Sequence, residues 1–233
     1  MHTTYYKRWG LFMKNPLWCN YLKKMYQDGF QKIAYLTNQD NPFDQPNFTA
    51  LLSGCHGETT AETFAQFIFS KNPTTKLYIL DINPISIERC KAVLPKKFPN
   101  KTIVFLQENI LGNSIPDNTI DYIETDGFLQ FFEPKTQLPK LIAEWKRMLK
   151  PTGFITTRDI VTTNVIGRTI VAIMQFLAKH VFAITIYHQT LAEIEKLYFQ
   201  YGFYSVVRKT WFPTFRQFTI IKKSLQGTKN KLE

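Results

Sequence analysis

The sequence predicts an α/β fold built on a parallel sheet, and three observations carry that expectation. From Asn47 onward, short apolar runs alternate with amphipathic stretches at helical spacing, the pattern of strands joined by crossover helices. A glycine-containing segment, Ser53-Gly54-Cys55-His56-Gly57-Glu58-Thr59-Thr60, stands where the first strand should turn into the first of these helices. Asp81 then closes the second strand, 24 residues after Gly57.

The elements follow in order. Phe48–Ser53 is the first strand, and Ala61, Phe64, Ala65 and Ile68 give the following helix its buried stripe. Lys76–Ile82 is the second strand; Asn83-Pro84 supplies an N-cap and a first-turn proline for a helix reaching about Leu94. Thr102–Gln107 is the third strand, and Ile120–Thr125 the fourth, after the turn Pro116-Asp117-Asn118. Leu138, Leu141, Ile142, Trp145 and Leu149 mark the next helix, which Pro151-Thr152-Gly153 should terminate before a fifth strand over Gly153–Ile160. Val165–Val181 and Leu191–Tyr201 read as helices, and Tyr204–Trp211 with Gln217–Lys223 as a closing antiparallel pair around Phe212-Pro213-Thr214-Phe215.

Composition narrows the functional classes. The 233 residues are 44% hydrophobic and 20% charged, the balance of a globular chain able to bury a core. Cys19, Cys55 and Cys90 are odd in number and lack the spacing of a zinc site or a disulfide framework, which points to a reducing, cytoplasmic setting and to no metal. Lys7, Arg8 and Lys14 interrupt any signal-peptide core, and Arg168, Gln175, Lys179 and His180 interrupt the longest apolar segment. The net charge of +11 belongs to the flanks: residues 1–37 carry +5 and residues 208–233 carry +6. Such flanks suit an anionic small molecule, RNA or an acidic membrane surface, or serve simply as a solvated surface; neither has an arginine-rich run or an RNA-binding signature, and no DNA partner is expected. Residues 1–37, basic and aromatic, read as a helical segment that packs on the sheet or caps the site, residues 38–225 as the main domain, and Gln226–Glu233 as a disordered tail.

In an open parallel sheet, ligands bind beyond the carboxyl ends of the strands. Glycines at 54 and 57 let a backbone approach a ligand and turn into a helix, though such a turn is also common as plain structure. Asp81 is placed to accept hydrogen bonds from both hydroxyls of a ribose; alternatively it is a charge at a helix N-terminus. These features alone fit NAD and S-adenosylmethionine equally.

Five segments in order are more specific: Gly54–Gly57, Leu80–Pro84, Gln107–Ile110, Pro116–Tyr122 and Leu149–Phe154. Together they resemble the class I S-adenosylmethionine-dependent methyltransferases over roughly residues 47–223. The resemblance implies a Rossmann-like three-layer sandwich with a seven-stranded, mostly parallel sheet of order 3-2-1-4-5-7-6 and an antiparallel last strand. It implies that Ser53 to Gly57 line the methionine part of the cofactor, that Asp81 holds the ribose and Ile82 the adenine, that Asn109 and Ile110 contact the base, and that Thr125 and Asp126 lie near the sulfonium. The product would be S-adenosylhomocysteine. The sequence departs from the family at Leu52, where an acidic residue is usual, and at His56 and Glu58, which replace the second and third glycines of the loop.

Methyl transfer from a sulfonium is an in-line displacement that orientation and desolvation accelerate. Where a base is needed, His188, Tyr187 and Asp126 are the candidates, with Asp159 nearby. Phe128 and its neighbours Phe131 and Phe132 would line an apolar or flat acceptor, or equally pack as core, and Arg158 and Arg168 would meet an acidic one, unless Arg158 pairs with the neighbours of Asp159. A small-molecule O-, N- or C-acceptor fits best, because the Asn/Asp-Pro-Pro-aromatic motif of nucleobase-amine enzymes is replaced by Thr125-Asp126-Gly127-Phe128. Two other readings stay open: a non-catalytic adenosyl-cofactor-binding or membrane-surface scaffold, and an NAD(P)-dependent reductase, which lacks its G-x-G-x-x-G here.

Overall fold

The structure, a computed structural model, describes residues 14–162, 165–181, 184–210 and 214–223. The tail Gln226–Glu233 and the hairpin residues Phe212 and Pro213 lie outside the described residues. The chain opens with α1 (Pro16–Thr37), then β1 (Thr49–Ser53), α2 (Glu58–Lys71), β2 (Lys76–Leu80), α3 (Pro84–Lys97) and β3 (Thr102–Leu106). β4 (Ile120–Asp126), α4 (Leu138–Met148), β5 (Leu149–Thr162) and α5 (Val165–Val181) follow. The chain continues through β6 (Gln189–Thr190), α6 (Leu191–Gln200), β7 (Phe203–Lys209) and β8 (Phe215–Lys222).

The sheet order is β3-β2-β1-β4-β5-β8-β7, with β6 paired to the end of β5. β1 to β5 run parallel, and β8 runs antiparallel to both of its neighbours. The count is therefore eight rather than seven. The additional strand is the two-residue β6, where Val161 and Thr162 pair with Gln189 and Thr190; it is too short for period-2 alternation to reveal.

Both faces of the sheet are covered, which is why its strands read as unbroken apolar runs. On one face, Ala50, Leu52, Leu77, Ile79 and Tyr122 meet Phe64, Ile68, Ile87 and Leu94 of α2 and α3. Leu22, Tyr26, Phe30 and Ile33 of α1 join the same core, and Gln217 Nε2 on β8 donates to the Met25 carbonyl at 2.7 Å. On the opposite face, Leu51, Leu80, Ile123 and Ile155 meet Leu141, Ile142 and Trp145 of α4 and Ile194 and Tyr198 of α6.

Two boundaries differ from expectation for a shared reason. The helix ends at Met148, and β5 starts at Leu149, running through Pro151-Thr152-Gly153 instead of after it. Ile120 pairs with Leu149 and Tyr122 with Phe154, so several β5 residues oppose Asp121 alone: the proline and glycine form a bulge. Gly153 is required there, since a Cβ would sit 2.7 Å from the Leu149 side chain and 3.0 Å from the Asp121 carbonyl oxygen.

Candidate functional site

The carboxyl ends of β1, β2, β3 and β4 open onto a cavity of about 180 Å³. Gly54 N–H donates to the Leu80 carbonyl (2.8 Å) and Asp81 N–H to the Leu106 carbonyl (3.1 Å), so the sheet continues to the rim. The loop after β1 then turns through three positive φ values: Gly54 (+72°), His56 (+55°) and Gly57 (+150°). Gly54 is held to glycine twice over. Its φ disfavours a side chain, and a Cβ would lie 2.6 Å from the Phe128 ring.

Asp81 is buried at the cavity wall with its carboxylate fixed from two directions. Oδ1 accepts from Asn83 N–H (2.9 Å), and Oδ2 accepts from His56 N–H (3.2 Å) and from the Cys55 thiol (3.5 Å). Contact with Cys90 Sγ at 3.8 Å and full burial push the Cys55 thiol well above its ordinary value, so it stays a neutral donor. Sequence spacing gave no sign that these two cysteines meet. Ile82, 52% exposed, offers its side chain to the cavity, and Asn109 and Ile110 lie across from it. Asn109 Oδ1 accepts from Leu111 N–H (3.0 Å), capping the turn Ile110–Gly112. Phe128, Phe131 and Phe132 close the remaining side, with Phe128 and Phe132 edge to face at 4.9 Å.

Residues 51–157 match the family model described as "Methyltransferase domain". A probable methyltransferase, ltbC, of Aspergillus luteorubrus is 33% identical over 96 residues; the match covers 39% of this chain and 33% of that protein, so the chain spans about a third of this curated relative. Magnesium protoporphyrin IX methyltransferase from Synechocystis PCC 6803, solved with bound S-adenosylhomocysteine, superposes with a TM-score of 0.58 at 13% identity, covering 84% of this chain and 82% of that one. YcgJ from Bacillus subtilis superposes with a TM-score of 0.59 at 15% identity, covering 78% and 71%. Residues 51–157 are thus similar to a methyltransferase domain, and the fold is one that solved methyltransferases share.

The structure brings Gly54, His56, Asp81, Ile82, Asn109, Ile110 and Phe128 to one cavity, and sorts the other candidate residues away from it. Ser53 and Cys55 are buried behind the loop. Gly57 borders a separate small cleft at the start of α2, together with Lys14, Glu58 and Arg89. Leu52 is a core residue, and Glu58 pairs with Lys14 at 3.3 Å. Thr125 is buried with its hydroxyl 2.7 Å from that of Thr157.

Asp126, Arg158 and Asp159 belong to a buried charge cluster rather than to the cavity wall. Arg158 is 1% exposed; its Nε donates to Asp126 Oδ1 (3.1 Å) and its Nη2 lies 3.3 Å from Glu124 Oε1. Its guanidinium also rests over the Tyr26 ring at 5.1 Å. Burial disfavours its charge, but Asp126 and Glu124 more than offset this and hold it protonated. Burial raises Glu124 to about 7 and Asp159 to about 6. Arg158 and the Asp126 carboxylate are thus engaged with each other, outside the cavity lining, because β4 and β5 pair Asp126 directly with Arg158.

His188, Tyr187 and Arg168 also lie outside the cavity lining. His188 is exposed, 3.3 Å through Nδ1 from Gln175 Nε2, and Arg168 is exposed on α5. Tyr187 reaches the site's edge through its backbone, donating N–H to the Gln130 carbonyl at 2.7 Å. Conversely, Leu80, Glu108, Leu111 and Gln137 line the cavity without having been singled out from the sequence. Glu108 was legible from its place beside Asn109 after β3. Gln137 was not, since only the fold carries the start of α4 across to β1 and β2. Among the described residues no His/Cys/Asp/Glu group has the form of a metal site, and no helix is long and apolar enough to cross a membrane.

Proposed function

We propose that the protein transfers a methyl group from S-adenosylmethionine to a small, apolar or flat acceptor by in-line displacement. The observation that carries this reading is the Asp81 carboxylate, held at the end of β2 by Asn83 and His56 N–H beside the exposed side chain of Ile82. A carboxylate so fixed keeps a lone pair on Oδ1 for a ribose hydroxyl, and an aliphatic side chain beside it suits the face of a purine. Asn109 Oδ1, already accepting from Leu111, has a second lone pair for an adenine amino group. The cofactor fits these residues, and when bound it supplies an electrophilic methyl group on a sulfonium.

The chain's own contribution is positional. Phe128, Phe131 and Phe132 exclude water from one side of the cavity and would hold an apolar acceptor against the glycine loop. Neither His188 nor the Asp126 carboxylate borders this space, so the reading relies on orientation and desolvation rather than on a positioned base. Two proteins that share the fold are named as a mitomycin 7-O-methyltransferase and a magnesium protoporphyrin IX methyltransferase, in keeping with this choice.

Isothermal titration with S-adenosylmethionine, S-adenosylhomocysteine and NADPH tests the reading. Binding of both adenosyl ligands, weakened about tenfold or more in Asp81→Asn, is the expected result, since a hydrogen bond to a charged group contributes about 1.5–3 kcal/mol. Binding of NADPH alone would replace it with a reductase.

A further inference from the structure

Helix α5 presents to solvent the side that an ordinary surface helix buries. Ile173, Phe176, Leu177 and Val181 are 56%, 62%, 44% and 41% exposed, whereas the small Val171 and Ala178 face inward. Spacings of three, four and eight residues set the four large side chains along one stripe. His180 extends the stripe, its ring 4.4 Å from that of Phe176. Isolated exposed apolar residues are ordinary, but four on consecutive turns of one helix form a patch of the kind that marks an interaction surface.

The charge around this stripe selects the partner. α5 contains no Asp or Glu, while Arg168 and Lys179, about three turns apart, lie beside the stripe on the same flank of the helix. Large apolar side chains on one face with basic residues beside them are the composition of a helix that lies in the plane of a bilayer, its cations level with the headgroups. A second copy of the chain docked on this face would bring these cations against each other with no acidic residue of α5 to pair with them.

We propose that α5 docks the protein, in the membrane plane, on an anionic lipid surface. The inference is independent of the methyltransferase reading, but the two are joined in space. Gln175 on α5 donates to the Ile186 carbonyl (3.1 Å), and the adjacent Tyr187 N–H donates to the Gln130 carbonyl (2.7 Å). Gln130 stands in the turn Leu129–Phe131, whose Phe131, with Phe132 next to it, lines the cavity. The docking helix is therefore tied through one loop to the aromatic wall of the site.

Co-sedimentation with phosphatidylcholine vesicles, with and without phosphatidylglycerol, tests the proposal on the full chain. Binding should require phosphatidylglycerol and fall steeply between about 50 mM and about 500 mM salt. Phe176→Asp/Leu177→Asp should lower partitioning at least tenfold with an unchanged melting temperature, and Lys179→Gln should lower it a few-fold. No vesicle binding by the wild-type protein would overturn the proposal, as would salt-sensitive binding that survives Phe176→Asp/Leu177→Asp, which would assign it to the basic flanks. A wild-type dimer in light scattering that the double variant disperses, without vesicle binding, would reassign the stripe to a second copy of the chain.

Discussion

The His56 imidazole reaches across the open end of the glycine loop, its Nε2 3.2 Å from the Asp126 carbonyl oxygen at the end of β4. A carbonyl only accepts, so Nε2 carries a proton. The ring thereby becomes a wall of the cavity, between it and the cleft at the start of α2.

His56→Gly should be well tolerated as a fold change. The residue sits at φ +55°, where a side chain costs roughly 1–2 kcal/mol, and relief of that cost offsets the lost hydrogen bond of about 1 kcal/mol. The expected signature is a melting temperature within about 5 °C of wild type and S-adenosylhomocysteine binding about tenfold weaker in calorimetry. Unchanged affinity would mean that the imidazole is no part of the ligand's surroundings.

Gly54→Ala should be destabilising for two separable reasons. The backbone term at φ +72° is about 1–2 kcal/mol, and the clash with the Phe128 ring adds to it. Phe128→Ala removes only the second. Urea denaturation of the single and double variants should therefore show that Gly54→Ala costs less in the Phe128→Ala background; strictly additive effects would contradict the close approach of the two residues.

How much of this was legible follows from where each signal is stored. The apolar pattern locates the strands that Asp81, Ile82 and Asn109 close or follow and marks them as a parallel sheet, whereas the convergence of the three and the order of β1 to β5 came from the family resemblance. Arg158 reads from the sequence either as a substrate contact or as a partner of residues near Asp159, because an arginine in a strand interior does not name its partners; the pairing of β4 with β5 sets it opposite Asp126 and near Glu124. Pro151-Thr152-Gly153 was read as a terminator because proline and glycine mark turns and bulges alike. The meeting of Cys55 with Cys90 depends on how α3 packs beside the loop, which no spacing records.

Glu124 and Asp159 make stability depend on pH in an unusual direction. Burial raises Glu124 from 4.5 to about 7 and Asp159 from 3.8 to about 6. Between their unfolded and folded values the native state holds protons that the unfolded chain has released, so stability falls as pH rises through about 4 to 7. Thermal melts should accordingly give a lower melting temperature at pH 8 than at pH 6. Glu124→Gln should flatten that slope, and a melting temperature that climbs over the same range would contradict the burial-driven shifts.

Arg158 provides the sharpest separation between a structural and a substrate-binding arginine. Replacing it with Met leaves Asp126 and Glu124 buried without their cation, and the loss of one partner from a buried ion pair costs about 3–5 kcal/mol. Arg168, exposed on α5, has no such role, and Arg168→Met should change unfolding free energy by less than about 0.5 kcal/mol. Chemical denaturation distinguishes the two. If Arg158→Met kept wild-type stability, the carboxylates would have to be neutral together. In that case Glu124→Gln in the Arg158→Met background would leave stability unchanged, whereas recovery of about 1 kcal/mol or more is the result expected from a buried, uncompensated charge.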